Sequence, residues 1–160
     1  MADWKNLPDD SRVWIYQADR LLTDAEVAHI QNAAKQFVEG WSTHGTPLQA
    51  DIDIIDHLFL MVMVDEHHAS ASGCSIDKSV AFVRAMENDL KLSFMDRMKV
   101  AVEINSGIEL VSLHALSDLK QAGKITDHTL VHNPLVKDKK EFLAGFKLPI
   151  SESWHKQFLN

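Results

Sequence analysis

The chain has 160 residues, 46% of them apolar, a formal net charge of −7 and a single cysteine. That length holds one domain with a core that needs no covalent staples, and one thiol excludes an internal disulfide framework and a cysteine-rich zinc site. The acidic balance argues against nucleic acid and anionic membrane surfaces as partners, because phosphate affinity comes mainly from Lys and Arg.

The opening "MADWKNLPDD" is polar and lacks the apolar stretch of a secretory signal. The longest apolar run, 58–64, is too short to span a bilayer. Together with the lone thiol, this points to a cytoplasmic protein with no membrane insertion.

"RVWIYQA" (12–18) alternates as a strand, with Val13, Ile15 and Gln17 on one face and Trp14 and Tyr16 on the other. Thr23 and Glu26 then have capping-box spacing, and Val27, Ile30, Ala34, Phe37, Val38 and Trp41 follow as one helical stripe with Gly40 as its stop. "STHGTP" (42–47) reads as a loop. "LQADIDII" (48–55) alternates as an edge strand whose Asp51 and Asp53 face water. "DH" turns a hairpin into "LFLMVMV" (58–64), which is apolar at every position and so buried on both faces.

A second helix follows the small-residue loop, with Ile76, Val80, Val83, Met86 and Leu90 inward. Cys74 or Ser75 falls near its N-cap and Asp77 in its first turn, where a negative charge suits the helix dipole. "MKVAVEIN" (98–105) alternates once more.

The order β-α-β-β-α-β predicts an α+β fold with a ferredoxin-like core over 11–105, whose sheet order is 4-1-3-2. The first and third strands are then central, and the fourth lies beside the first. Residues 106–160 form an extension of short strands and helices, with "KDKKE" (137–141) as a solvated helix face. The second face of the central strands needs a cover, either this extension or a second copy of the chain.

This topology brings 41–47 and 65–77 to one end of the sheet and makes that polar end the candidate site. One reading is a thiol enzyme. Cys74 is the nucleophile at a helix start, His44 (or His67 or His68) the base, and Asp65 its orienting group. The plainer reading of Cys74 is a small, unreactive residue in a turn.

A second reading is a small-molecule site formed by Trp41, His44, His67, His68, Ser72, Ser75 and Asp77. A metal held by His44, Asp65, His67, His68 and Cys74 is the weaker alternative, because adjacent histidines on a strand point to opposite faces. A homodimer through the open sheet face is the remaining partner reading. No cofactor is indicated: GxGxxG, GxxxxGK[ST] and GxSxG are all missing from the sequence.

"VWIYQADRLLTDAEV", "FVEGWSTHG", "SGCSIDKSV" and "SWHKQF" together resemble a small uncharacterised bacterial protein family. Its members often carry the label "ABC transporter ATPase". The resemblance spans most of the chain and implies a stand-alone cytoplasmic protein, without assigning a reaction. The sequence departs from the label itself, since an ABC ATPase requires a phosphate-cradling P-loop.

Overall fold

The computed structural model describes residues 3–160. The architecture is mixed α+β. Strand β1 (Arg12–Gln17) leads to helix α1 (Asp24–Glu39). Two-residue strands β2 (Ser42–Thr43) and β3 (Thr46–Pro47) follow, then the long hairpin β4 (Gln49–Ile55) and β5 (Phe59–Asp65). Helix α2 (Gly73–Leu90) returns to β6 (Lys99–Ile104) and β7 (Gly107–Ser112). The remainder is α3 (Leu116–Gln121), β8 (Leu130–His132), α4 (Lys139–Gly145), β9 (Lys147–Pro149) and a closing 3-10 turn, Trp154–Phe158.

Local chemistry accounts for the first helix as expected. The Glu26 N–H donates to Thr23 Oγ1 at 3.2 Å, and the Thr23 N–H donates to Glu26 Oε1 at 3.0 Å. Arg20 grips the same carboxylate at 2.7 Å. That guanidinium bond, followed by the Thr23 N–H, holds Glu26 down at about 2. Thr23→Ala removes the cap acceptor and is expected to cost about 1 kcal/mol in urea unfolding, with no change in the denaturant slope.

β5 is buried at all seven positions and lies at the centre of a three-stranded antiparallel sheet, order β1-β5-β4. Phe59 and Met61 sit in register with Gln17 and Ile15 on one side of the strand and with Ile55 and Asp53 on the other. That face is covered by the chain's own ends. Phe59 meets Phe146 edge-on at 4.8 Å and His132 at 5.1 Å. Helices α1 and α2 take the opposite face, with Phe37 stacked on Phe82 at 5.0 Å between them. The stripe α2 buries runs through Ser75, Ser79, Phe82, Val83 and Met86, rotated from the sequence expectation toward its short serines.

Three expectations are corrected. The fourth strand does not lie beside the first, so β1 is an edge of its sheet. β6 pairs with β7 through a six-residue register and with β8 at Val102–Val131, giving a second sheet of order β7-β6-β8-β9. With both edges occupied, β6 has no ladder to offer β1. The two-residue turn that closes the β6–β7 hairpin is Asn105–Ser106, with φ of 52° and 64°. This sheet has its own small core around Val102, Leu116, Ile125, Val131 and Ile150.

Second, the Asp51 and Asp53 face of β4 is not wet. The N-terminal 3-10 turn Trp4–Asn6 lies over it. The Trp4 backbone N–H donates to Asp51 Oδ2 at 2.9 Å, and its indole N–H donates to Asp53 Oδ2 at 3.1 Å.

Third, "KDKKE" is not solvated throughout. Lys139 is buried, and its Nζ donates to the carbonyls of Lys5 and Leu7 at 2.8 and 2.7 Å. It pins the N-terminal segment to α4. No helix among the described residues is long and apolar enough to cross a membrane.

Candidate functional site

The two loops expected to meet do meet. Trp41 is 2% exposed, and its indole N–H donates to the Ser75 carbonyl at 2.9 Å. His44 and Gly45 form the tip of the β2–β3 hairpin, with φ of 48° and 81°. The start of α2 differs from the sequence reading. Its N-cap is Ser72, whose Oγ accepts from the Ser75 N–H at 3.2 Å, and Ser75 is buried. Cys74 and Asp77 therefore lie inside the helix, Cys74 in its first turn and Asp77 beyond it.

The proposed catalytic grouping does not close into a hydrogen-bonded relay. Cys74 is exposed, and among the described residues no hydrogen bond joins it to a histidine. Asp65 is bonded to His67: its Oδ1 accepts from the His67 backbone N–H at 3.0 Å and lies 2.6 Å from His67 Nδ1. The other ring nitrogen of His67 lies 3.1 Å from Asp10 Oδ2.

The His67 N–H holds the Asp65 carboxyl below the usual carboxylate range. The bond to Asp65, and next the charge of Asp10, raise His67 above the ordinary imidazole value. His67 is thus a clamp between β5 and the N-terminal segment. His44 and His68 are exposed. No three His, Cys, Asp or Glu side chains among the described residues are placed to share a metal ion.

A partly enclosed, mainly apolar cavity lies elsewhere, in the seam that opens because β6 has left β1. It has a volume of about 280 Å³. Ile15, Phe94, Met95 and Trp154 contribute apolar walls, and the polar residues Gln17, His132 and His155 also line it. Arg97, Lys99 and Asp96 lie among its lining charges. None of the residues singled out at the loop end lines it.

Each wall is held in place. Gln17 donates to the Lys99 carbonyl at 3.0 Å and ties β1 to the start of β6. The Trp154 indole donates to Asn133 Oδ1 at 3.1 Å and stacks on the His155 ring at 3.8 Å between centroids. Ser153 Oγ bonds His155 Nδ1, and burial pushes that imidazole down to about 4, so it is neutral.

His132 is fully buried, and its two ring nitrogens face two acceptors. The Ala101 carbonyl is 3.2 Å from Nδ1, and Asp56 Oδ2 is 3.3 Å from Nε2. Burial lowers its pKa and outweighs these acceptors, so the ring carries one proton and donates to one of them. Burial likewise raises the Tyr16 hydroxyl, and the nearby Arg97 charge opposes that shift.

A second groove of about 340 Å³ continues past Ile15 and Tyr16 along the same strand edge, between Trp14 and Pro134–Lys137. Rigid aromatic walls, neutral imidazoles and cations around an apolar interior are suited to binding an amphipathic molecule.

This cavity was not legible as a site in the sequence. Its walls come from four separated segments of the chain. The usable signal was two histidines set in apolar surroundings, in "LVHNP" and "SWHKQF". Comparison with family models, with curated proteins and with solved structures finds no match to this chain.

Proposed function

We propose that the protein is a ligand-binding domain whose site is the seam cavity beside β1, and that its ligand is a small anionic molecule carrying an apolar group. The fold reading behind this is a ferredoxin-like unit over 11–105 in which the place of the fourth strand beside the first is left open. The observation that carries the proposal is the pairing of an apolar cavity with cations in a chain of net charge −7. Arg97 and Lys99 form no ion pair among the described residues, so their charge is available. The small-molecule reading of the sequence is kept, and its site moves from the loop end to the seam. A homodimer through the central sheet would need a different surface, since the faces of that sheet are covered by this chain's helices and ends.

The test uses 3-phenylpropionate, an aromatic ring on a short carboxylate arm. At the efficiency of a modest ligand its eleven or so non-hydrogen atoms give a Kd of about 1 mM. Titration followed by amide and indole NMR resonances is expected to show saturable shifts at Gln17 and the Trp154 indole. Shifts that fail to saturate, or that cluster at 41–47 and 65–77 instead, defeat the assignment of the seam.

A further inference from the structure

We propose that the occupant of the seam is the carboxyl end of an extended peptide, bound as a short added strand on β1 with its last side chain in the cavity. This refinement rests on the ligand-binding reading above.

The outer edge of β1 carries the argument. In an antiparallel strand, alternate residues direct both backbone groups to the same side. The Ala18 N–H donates to the Leu58 carbonyl at 2.8 Å, which places the even-numbered residues of β1 toward β5. The Val13 N–H donates outward to the Lys137 carbonyl at 2.9 Å, and the Lys139 N–H donates back to the Ser11 carbonyl at 2.9 Å. Asp19 also bonds outward, its N–H donating to the Ser93 carbonyl at 2.9 Å.

Between these closed ends lie Ile15 and Gln17. Their outward N–H groups have no hydrogen-bond acceptor among the described residues. Strand edges with unpaired backbone groups of this kind template the addition of another chain.

The shape of the opening selects the occupant. From Val13 to Asp19 the strand rises about 20 Å, and the chain itself blocks both ends. A strand running through would collide with 137–139 or with the 93–99 segment, whereas a chain terminus needs only one way in. The charges select which terminus. Arg97, Lys99 and Lys137 line the cavity and its adjoining groove without an ion pair among the described residues, and Arg12 contacts Glu66 only at 4.0 Å. Asp96 is the sole carboxylate in either wall. A C-terminal carboxylate matches that field, and an N-terminal ammonium is repelled.

The experiment compares N-acetyl-Ala-Ala-Phe as the free acid, the same peptide as its C-terminal amide, and 3-phenylpropionate. Binding is followed by calorimetry and by backbone NMR on the full chain. The free acid is expected to bind about tenfold more tightly than either comparison ligand and to shift the Ile15 and Gln17 amides. Arg97→Gln and Lys99→Gln, both at exposed positions, are expected to shrink the acid-to-amide ratio toward one.

Equal binding of acid and amide overturns the inference, as does an unmoved Ile15 amide at saturation or a ratio that persists in both variants. If the peptide fails while 3-phenylpropionate still binds in the seam, the peptide inference falls and the ligand-binding reading stands. If neither ligand perturbs the seam, both fall.

Discussion

Trp41→Ala is expected to lower the unfolding free energy by about 4 kcal/mol, the cost of deleting a large buried aromatic and leaving part of its volume empty. Trp41 is 2% exposed and packs against Phe37 at 5.2 Å between ring centroids. Its own carbonyl accepts from the Leu48 N–H at 3.0 Å, and its indole donates to Ser75. One residue therefore joins the end of α1 and the start of α2 through its side chain and the far end of the β2–β3 hairpin through its backbone. Trp41→Phe keeps most of the apolar contact and loses the buried hydrogen bond, so about 1 kcal/mol is expected. Urea unfolding of both variants separates the two contributions. A loss under about 1 kcal/mol in the alanine variant would mean that this end is held by the backbone and not by the indole.

Asp51→Asn is expected to make the protein more acid-sensitive than the parent. Two buried groups oppose each other below neutrality. Burial pushes His155 down to about 4 from an ordinary 6.5, so the stability it contributes is complete above pH 6.5 and is lost as pH falls toward 4. Between pH 7 and pH 5 that loss is about 2 kcal/mol. The depressed pKa of His132 acts in the same direction.

Asp51 acts the other way. Burial raises it to about 6; the Trp4 N–H works against that shift, and the neighbouring charges of Asp53 and Asp3 add to it. Its Oδ1 is buried with no hydrogen-bond partner among the described residues. A carboxyl with a raised folded pKa contributes stability that is complete below its unfolded value and is lost as pH rises through 6. Lowering pH from 7 to 5 therefore restores about 1 kcal/mol.

Asp51→Asn, without the compensating group, should thus lose about 1 kcal/mol more than the parent over this range. Asparagine keeps an acceptor for the Trp4 N–H, and comparing each protein with itself at two pH values cancels the cost of the substitution. Parallel pH profiles for the two proteins would show that Asp51 titrates normally in the folded chain.

Most of the local structure was readable residue by residue. The Thr23–Glu26 cap, the stop at Gly40, the turn at Asp56–His57 and the all-apolar β5 are each set by side chains within a few positions, and each lies where periodicity and turn chemistry put it. Trp41 and the start of α2 also meet as the order of elements requires.

What the linear pattern did not contain was competition between partners. β6 alternates as a ferredoxin-like fourth strand would, and nothing in 99–104 says whether it should pair with β1 or with its own sequel. The tight Asn105–Ser106 turn and the later strand β8 decide it, because a local hairpin closes at little entropic cost and β8 then takes the other side of β6. The open seam, the bare edge at Ile15, the buried pair His132 and His155, and the burial of Asp51 and Lys139 all follow from that choice and from the chain's ends folding back over the sheet. Each depends on which distant segment arrives, and an amphipathic period records which face is apolar without recording what will cover it.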